Sequence, residues 1–283
     1  MYTIFIVGEY MSLIERWLLL LQTEMEEPLA WGWFHLLCIG IMLVTITILF
    51  VFRKKHNEKQ LKIVIGTYGL VAFILELLKN ISWSFNYDTV FNIATWDYTW
   101  YAFPFQLCTT PIYVCLICLF LKKCRVRDYM LSFVSFITIW GSIATILLPD
   151  SCLIDEILIN INTMWIHLAS FVVSTYLIFS GEVEIKKENL FGAFKVFLVF
   201  VFIAFTLNIA VYNSGILNGE TFDMFYISPY FTKDLPVFSQ MYEILPYYLY
   251  LPGYILILCL GGTSIYYISK AIKRLFKKIA KQK

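Results

Sequence analysis

Residues Phe103 to Cys108 read Phe-Pro-Phe-Gln-Leu-Cys and sit inside an apolar stretch. A thiol, an amide and a proline there are either helix packing or a site. In hydrocarbon a thiol stays protonated and inert unless a base takes its proton. His167 can act as that base and later protonate a leaving group. The oxyanion of an acyl transfer needs donors, and Asn208 or Gln106 can supply them. A second histidine, His35, can orient His167 or handle a substrate hydroxyl, and Glu76 supplies a carboxylate for ligand or protons.

The elements that must position these residues follow from composition. The chain has 283 residues, is 60% hydrophobic and carries 15% charged residues. Soluble domains carry about 25% charged residues, so this composition predicts a multipass membrane protein. Seven apolar stretches, at 29–52, 61–85, 100–121, 129–149, 157–179, 190–214 and 244–269, are each long enough to cross about 30 Å of hydrocarbon as helices. The predicted fold is an all-α polytopic bundle of seven transmembrane helices.

Charge gives the orientation. Segments 53–62, 122–127, 186–195 and 270–283 hold five, four, three and seven Lys/Arg, which is 19 of the 22. The alternate segments hold Arg16 and Lys233, while Lys79 lies within a span. The positive-inside rule then predicts a cytoplasmic C-terminus and an N-terminus outside. The domain plan is an outer interfacial segment over 1–28, a membrane domain over 29–270 and a basic cytoplasmic tail over 271–283. Within the first segment, apolar residues 11–22 predict a short helix lying on the outer surface. Lys273-Arg274 and Lys277-Lys278 read as an anchor to anionic lipid rather than a nucleic-acid site.

The loop 215–243 is aromatic, contains Gly219, Pro229 and Pro236, and is too long for a plain connection. It predicts a packed outer cap. No repeat, second domain, cofactor motif or extracellular disulfide framework emerges. Of the seven cysteines only Cys152 falls in a predicted outer loop. Cys115 and Cys118 have redox spacing but no charged partner nearby, and read as small residues at a helix contact.

Counting 1.5 Å per residue from the predicted outer ends places His35, Glu76, Cys108, His167 and Asn208 at roughly 10–16 Å depth. Five spans running in both directions thus bring polar residues into one slab, which predicts a site in the outer half of the membrane. Asn160, Thr163, His167, Ser170 and Ser174 form one helical stripe in the fifth span. Pro104, Cys108, Pro111, Cys115 and Cys118 form a matching stripe in the third. Gln106 faces elsewhere on an ideal helix and joins the site only if Pro104 distorts the turn. Bland readings stand beside these: Glu76 pairs with Lys79 at i, i+3, His35 belongs to an interfacial belt, Asn208 is interhelical glue, and Cys108 and His167 are packing residues.

Several motifs in order match a known family. Phe103 to Cys108 resembles the Leu-Pro-Leu-Gln-Leu-Cys segment of YwaF-like bacterial integral membrane proteins. Phe34-His35-Leu36, Glu76, Gly141 through Pro149-Asp150, His167, Asn208 and Leu245-Pro246-Tyr247-Tyr248 follow in the family's order, covering roughly 29–270. The family's Asn-Tyr-Met segment is reduced here to Phe222-Asp223-Met224. The resemblance extends, at distance, to a vertebrate multipass acyltransferase with a cysteine centre acting on ether-linked lysophospholipids. It implies Cys108 as acyl carrier, His167 as its base, membrane lipids as partners and a bacterial cell membrane as location.

The expectation is a lipid acyltransferase or lipid-remodelling enzyme with a Cys108 nucleophile and a His167 base, supported by His35, Glu76, Asn208 and Gln106. The rival is a seven-span transporter or receptor binding a small molecule in the same outer pocket. A membrane protein with no chemistry is the third.

Overall fold

The computed structural model describes residues 11–149, 152–233, 235 and 237–281. The first ten residues, Asp150, Ser151, Asp234, Pro236, the last two residues of the tail and the side chains of Lys54, Lys55, Lys277, Ala280 and Lys281 lie outside the described residues. Among the described residues, six helical segments are long and apolar enough to cross a membrane: Trp33–Val51, Glu58–Ser84, Arg125–Leu147, Ile157–Ser180, Lys187–Ser214 and Tyr247–Phe276.

The first helix, α1 (Leu13–Leu21), is short. Its N-terminus carries a capping box in which Ser12 Oγ accepts from the Glu15 N–H and Glu15 accepts from the Ser12 N–H, satisfying two otherwise orphan donors. Helix α2 (Trp33–Val51) packs on the segment 157–180 and leads through a 3-10 turn at Phe52–Lys55 into α3 (Glu58–Ser84), capped by Asn57. A small antiparallel hairpin, β1 (Phe85–Asp88) and β2 (Ile93–Trp96), follows directly. The Asp88 carboxylate accepts from the N–H groups of Val90 and Phe91 and so closes its turn. Hydropathy does not reveal this hairpin, because Asn86, Asp88, Thr89, Asn92 and Thr95 interrupt its apolar residues.

The expected continuous helix over 100–121 is corrected. Only α4 (Thr110–Phe120) is α-helical, and the chain approaches it through a 3-10 turn at Trp100–Ala102 and irregular backbone to Thr109. Two prolines explain the boundary. Pro104 donates no hydrogen bond, whereas Pro111 lies in the first turn of α4, where a missing N–H costs nothing. Thr109 stabilises the approach: its hydroxyl accepts from the Gln106 N–H at 3.0 Å and lies 2.9 Å from the Gln106 carbonyl. The predicted stripe is therefore split. Pro111, Cys115 and Cys118 are buried on α4, while Pro104 and Cys108 precede it.

Two of the long segments contain π-turns. Helix α5 (Arg125–Phe133) runs through Val134–Thr138 into α6 (Ile139–Leu147), and α7 (Ile157–Met164) runs through Trp165–Ala169 into α8 (Ser170–Ser180). The Val134 carbonyl accepts from Thr138 and from Ser174 of the neighbouring segment, at 3.0 and 2.8 Å. Gly181 (φ 86°) and Gly215 (φ 74°) end α8 and α9 (Lys187–Ser214) in the left-handed conformation that glycine tolerates. After α10 (Phe238–Ile244), Pro246 precedes α11 (Tyr247–Lys281), which carries the basic tail as continuous helix.

Polar links tie the two ends of the bundle. At one end the fully buried Arg127 donates to both oxygens of Glu58 and to Glu182, each at 2.8 Å, and to the Leu121 carbonyl. His56 joins the cluster, with Nε2 3.3 Å from Glu182 and Nδ1 2.8 Å from Tyr176 Oη. At the other end Gln22 donates to the Ser82 and Phe85 carbonyls, and the Trp83 indole donates to Glu156. Burial raises the Glu156 carboxyl above its ordinary range, and the Trp83 N–H opposes that rise.

Helices α5 and α9 approach closely at Gly192. A Cβ there would stand 2.1 Å from the Tyr129 ring. Gly192→Ala is therefore expected to displace Tyr129 and to cost about 1–3 kcal/mol. Thermal unfolding in detergent would show this as a lowered midpoint, and an unchanged midpoint would contradict the packing.

Candidate functional site

Cys108 lies in the turn two residues before α4 begins and is half-buried. The N–H groups of Leu107 and Cys108 meet no hydrogen-bond acceptor of another residue among the described residues. Irregular backbone at membrane depth persists only where protein covers it or a cavity lies against it. Here Phe105, Leu107 and Cys108 pack against the buried apolar core. Glu76, Lys79 and Cys152 lie within electrostatic range of the Cys108 sulfur. So do the hydroxyls of Tyr68, Tyr226 and Tyr254.

Glu76 on α3 is buried and both of its oxygens are engaged. Lys79 pairs with one, and the Asn162 amide donates to the other at 3.0 Å. The bland reading of the i, i+3 pair is thus observed, but it is incomplete. Asn162 was not singled out in the sequence because it stands off the stripe that contains Asn160. Asn160 itself binds the 154 backbone, accepting from the N–H of Ile154 and donating to its carbonyl.

His167 sits within the π-turn Trp165–Ala169. The wider turn directs the ring at α6. A Cβ on Gly141 would stand 3.8 Å from both Nδ1 and Cε1, and an imidazole nitrogen faces the Gly141 carbonyl. No hydrogen bond joins His167 to Cys108. Of the rest of the predicted stripe, Asn160, Ser170 and Ser174 are buried. His35 is buried in the first turn of α2, where Nδ1 accepts from the Trp31 N–H at 3.3 Å and the rings meet edge to face.

Gln106 and Asn208 do something sequence reasoning did not anticipate. Each uses both ends of its amide on one short segment of the 215–243 loop. Gln106 donates to the Asp223 carbonyl at 2.9 Å and accepts from the Phe225 N–H at 2.8 Å. Asn208 donates to the Met224 carbonyl at 3.0 Å and accepts from the Met224 N–H at 2.8 Å. Phe225 and Tyr226 adopt left-handed backbone, φ 60° and 57°, a conformation that costs energy for bulky residues. The clamp holds this strained turn. Phe222, Met224, Phe225 and Ile227 are fully buried beneath it. Lys233 adds a salt bridge to Asp223 at 2.6 Å, and Tyr247 and Tyr250 of α11 donate to the carbonyls of Ile227 and Tyr226.

Glu76, Lys79 and Asn162 therefore form one polar group, with Glu76 and Lys79 within electrostatic range of Cys108, and Gln106, two residues before Cys108, holds the 223–225 turn. His167 is turned toward Gly141, and His35 toward Trp31. Cys115 and Cys118 are buried in the apolar core, but the expected lack of a nearby charge is corrected, since Arg127 and Glu182 lie within electrostatic range of Cys118.

The family model of the TMEM164 family aligns with residues 29–266. No curated protein and no solved structure matches.

Proposed function

For this chain, which belongs to the TMEM164 family, a multi-pass membrane family, we propose a membrane-embedded acyltransferase that remodels phospholipids through a Cys108 thioester. Cys108 Sγ attacks the ester carbonyl of a donor lipid and passes its proton to His167. The tetrahedral intermediate collapses, the lysolipid alcohol leaves with the proton from His167, and the acyl chain stays on sulfur. The hydroxyl of an acceptor lysolipid then attacks the thioester, His167 takes its proton, and the thiol is restored. His167 reaches Cys108 by turning from the Gly141 carbonyl when substrate is bound, since catalytic hydrogen bonds often close only in the complex.

The observation that carries this reading is the break before α4. There a thiol stands beside two consecutive N–H groups, those of Leu107 and Cys108, that meet no acceptor of another residue among the described residues. Such donors suit a developing oxyanion. Gln106 and Asn208, expected in that role, hold the plug instead.

The proposed topology has seven crossings, an outer N-terminus and a cytoplasmic tail, in a bacterial cell membrane. Two arguments support it. Residues 56, 58, 127 and 182 meet at one end while 22, 83 and 156 meet at the other. The chain therefore has to return between 84 and 125, through the irregular approach and α4. The Lys/Arg-rich segments also gather at the first end. The catalytic residues then lie toward the outer leaflet.

The test uses a clickable fatty acid fed to cells expressing the protein. Hydroxylamine-labile label is expected on the wild type and is expected to vanish in Cys108→Ala. His167→Gln is expected to slow labelling by about 100-fold or more. Full label on Cys108→Ala would sink the proposal. Activity lost in Glu76→Gln yet intact in Cys108→Ser would favour an outer pocket that binds a small molecule for transport or sensing.

A further inference from the structure

Glu76 and Lys79 take no part in the thioester steps, yet both lie inside the apolar span Glu58–Ser84. Ionisable residues within a span are costly and mark a functional interior by default. Stability does not explain them, since apolar residues of similar volume often hold a fold as well as a buried ion pair does.

A second helix fixes the pair. Lys79 binds one oxygen of Glu76, and the Asn162 amide of α7 donates to the other at 3.0 Å. Asn162 is 3% exposed, and its carbonyl oxygen meets no partner among the described residues. A buried amide with one end unsatisfied is costly, and the one hydrogen bond of its side chain goes to this carboxylate. The side chains of Glu76 and Lys79 are 4% and 15% exposed, so water and salt screen their charges weakly.

The pair faces the break that carries the thiol. Helix α3 packs along α4. The Tyr113 hydroxyl of α4 donates to the Pro104 carbonyl within the irregular approach, and it lies in electrostatic range of Glu76. Both Glu76 and Lys79 lie in electrostatic range of the Cys108 sulfur. Opposite charges act on a thiol in opposite senses. A cation favours the anionic sulfur that attacks a carbonyl, and an anion disfavours it.

We propose that Lys79 and Glu76 are positioning residues that set the reactivity of Cys108 through space. Lys79 promotes the anionic sulfur, Glu76 restrains it, and Asn162 holds the restraining carboxylate in place. The two effects oppose each other in the resting pair, and neutralising Glu76 leaves Lys79 unopposed. The inference deepens the acyl-transfer reading and rests on it for what the sulfur attacks, but the coupling itself needs no acyl donor.

The experiment follows alkylation of Cys108 by iodoacetamide, a small neutral reagent, at fixed pH. The full chain is held in phosphatidylcholine nanodiscs, and adducts on the Cys108 peptide are counted by mass spectrometry. Glu76→Gln keeps the size of the side chain and an acceptor oxygen. It is expected to alkylate about five-fold faster than the wild type. Lys79→Met is expected at or below the wild-type rate. The double variant, with both charges removed, is expected to fall back toward wild type. Thermal unfolding in the same nanodiscs confirms that each variant folds.

These signs separate charge from structure, because a bundle that merely loosens exposes the thiol whichever residue is changed. A double variant as fast as Glu76→Gln would overturn the proposal. So would Lys79→Met above the wild-type rate, or Glu76→Gln no faster than wild type. A clickable fatty acid is then fed to the same proteins. A Cys108 thioester with alkylation unmoved by any variant would remove this proposal and leave the acyl-transfer reading standing. The expected alkylation rates with no thioester would do the reverse.

Discussion

Arg127→Met is expected to destabilise the protein by about 3–5 kcal/mol, the typical cost of removing one partner from a buried charged network. The guanidinium is fully buried and bonds to Glu58, Glu182 and the Leu121 carbonyl. Its loss leaves the Glu182 carboxylate, itself 6% exposed, facing only His56. The effect reaches three elements at once, because Glu58 opens α3, Arg127 lies in the first turn of α5, and Glu182 follows α8. Arg125→Met provides the contrast. Arg125 is 82% exposed and pairs with Glu188 at 3.5 Å, a geometry worth less than about 1 kcal/mol. Thermal unfolding in detergent by tryptophan fluorescence measures both. Equal midpoints for the two variants would show that the buried network does not hold this end together.

Asn208→Ala is expected to cost about 2–4 kcal/mol, because it leaves the buried N–H and carbonyl of Met224 without partners. Gln106→Ala is expected to act on the same three residues, through Asp223 and Phe225. Residues that share one short segment do not contribute independently. A double-mutant cycle is therefore expected to show coupling of about 1 kcal/mol or more. Loosening the clamp is also expected to uncover the thiol. Maleimide labelling of Cys108, followed on a background lacking the other cysteines, is expected to accelerate in either variant. Unchanged labelling with lowered stability would mean that the plug does not shield Cys108.

Hydropathy alone revealed the long helices, because a membrane span must be continuous in apolar composition. It failed at the third span for the same reason. Phe103, Phe105 and Leu107 are as apolar in an irregular turn as in a helix, and prolines occur within membrane helices. Only Pro111, sitting in the first turn of α4, marks the boundary in retrospect. Arg127 looked like one more cytoplasmic charge. Its burial depends on carboxylates 69 and 55 residues away, a separation that leaves no local pattern. The same holds for Gln106, whose amide partners lie 117 and 119 residues along the chain. Glu76 was partly legible, since Lys79 is its neighbour by helical spacing. Asn162 was not, because it comes from another helix.

The π-turn that carries His167 has a consequence for the numbering of the chain itself. A π-turn is an α-helix that has taken in one extra residue. The flanking helices α7 and α8 therefore keep their phase relative to the bundle while the turn between them absorbs the surplus. A single-residue deletion within 165–169 would return the segment to regular α-helix with both flanks still docked. A deletion elsewhere in the same segment would instead rotate everything beyond it by about 100°. The helix thus tolerates a frame change at one place only, and that place is the one that aims the imidazole.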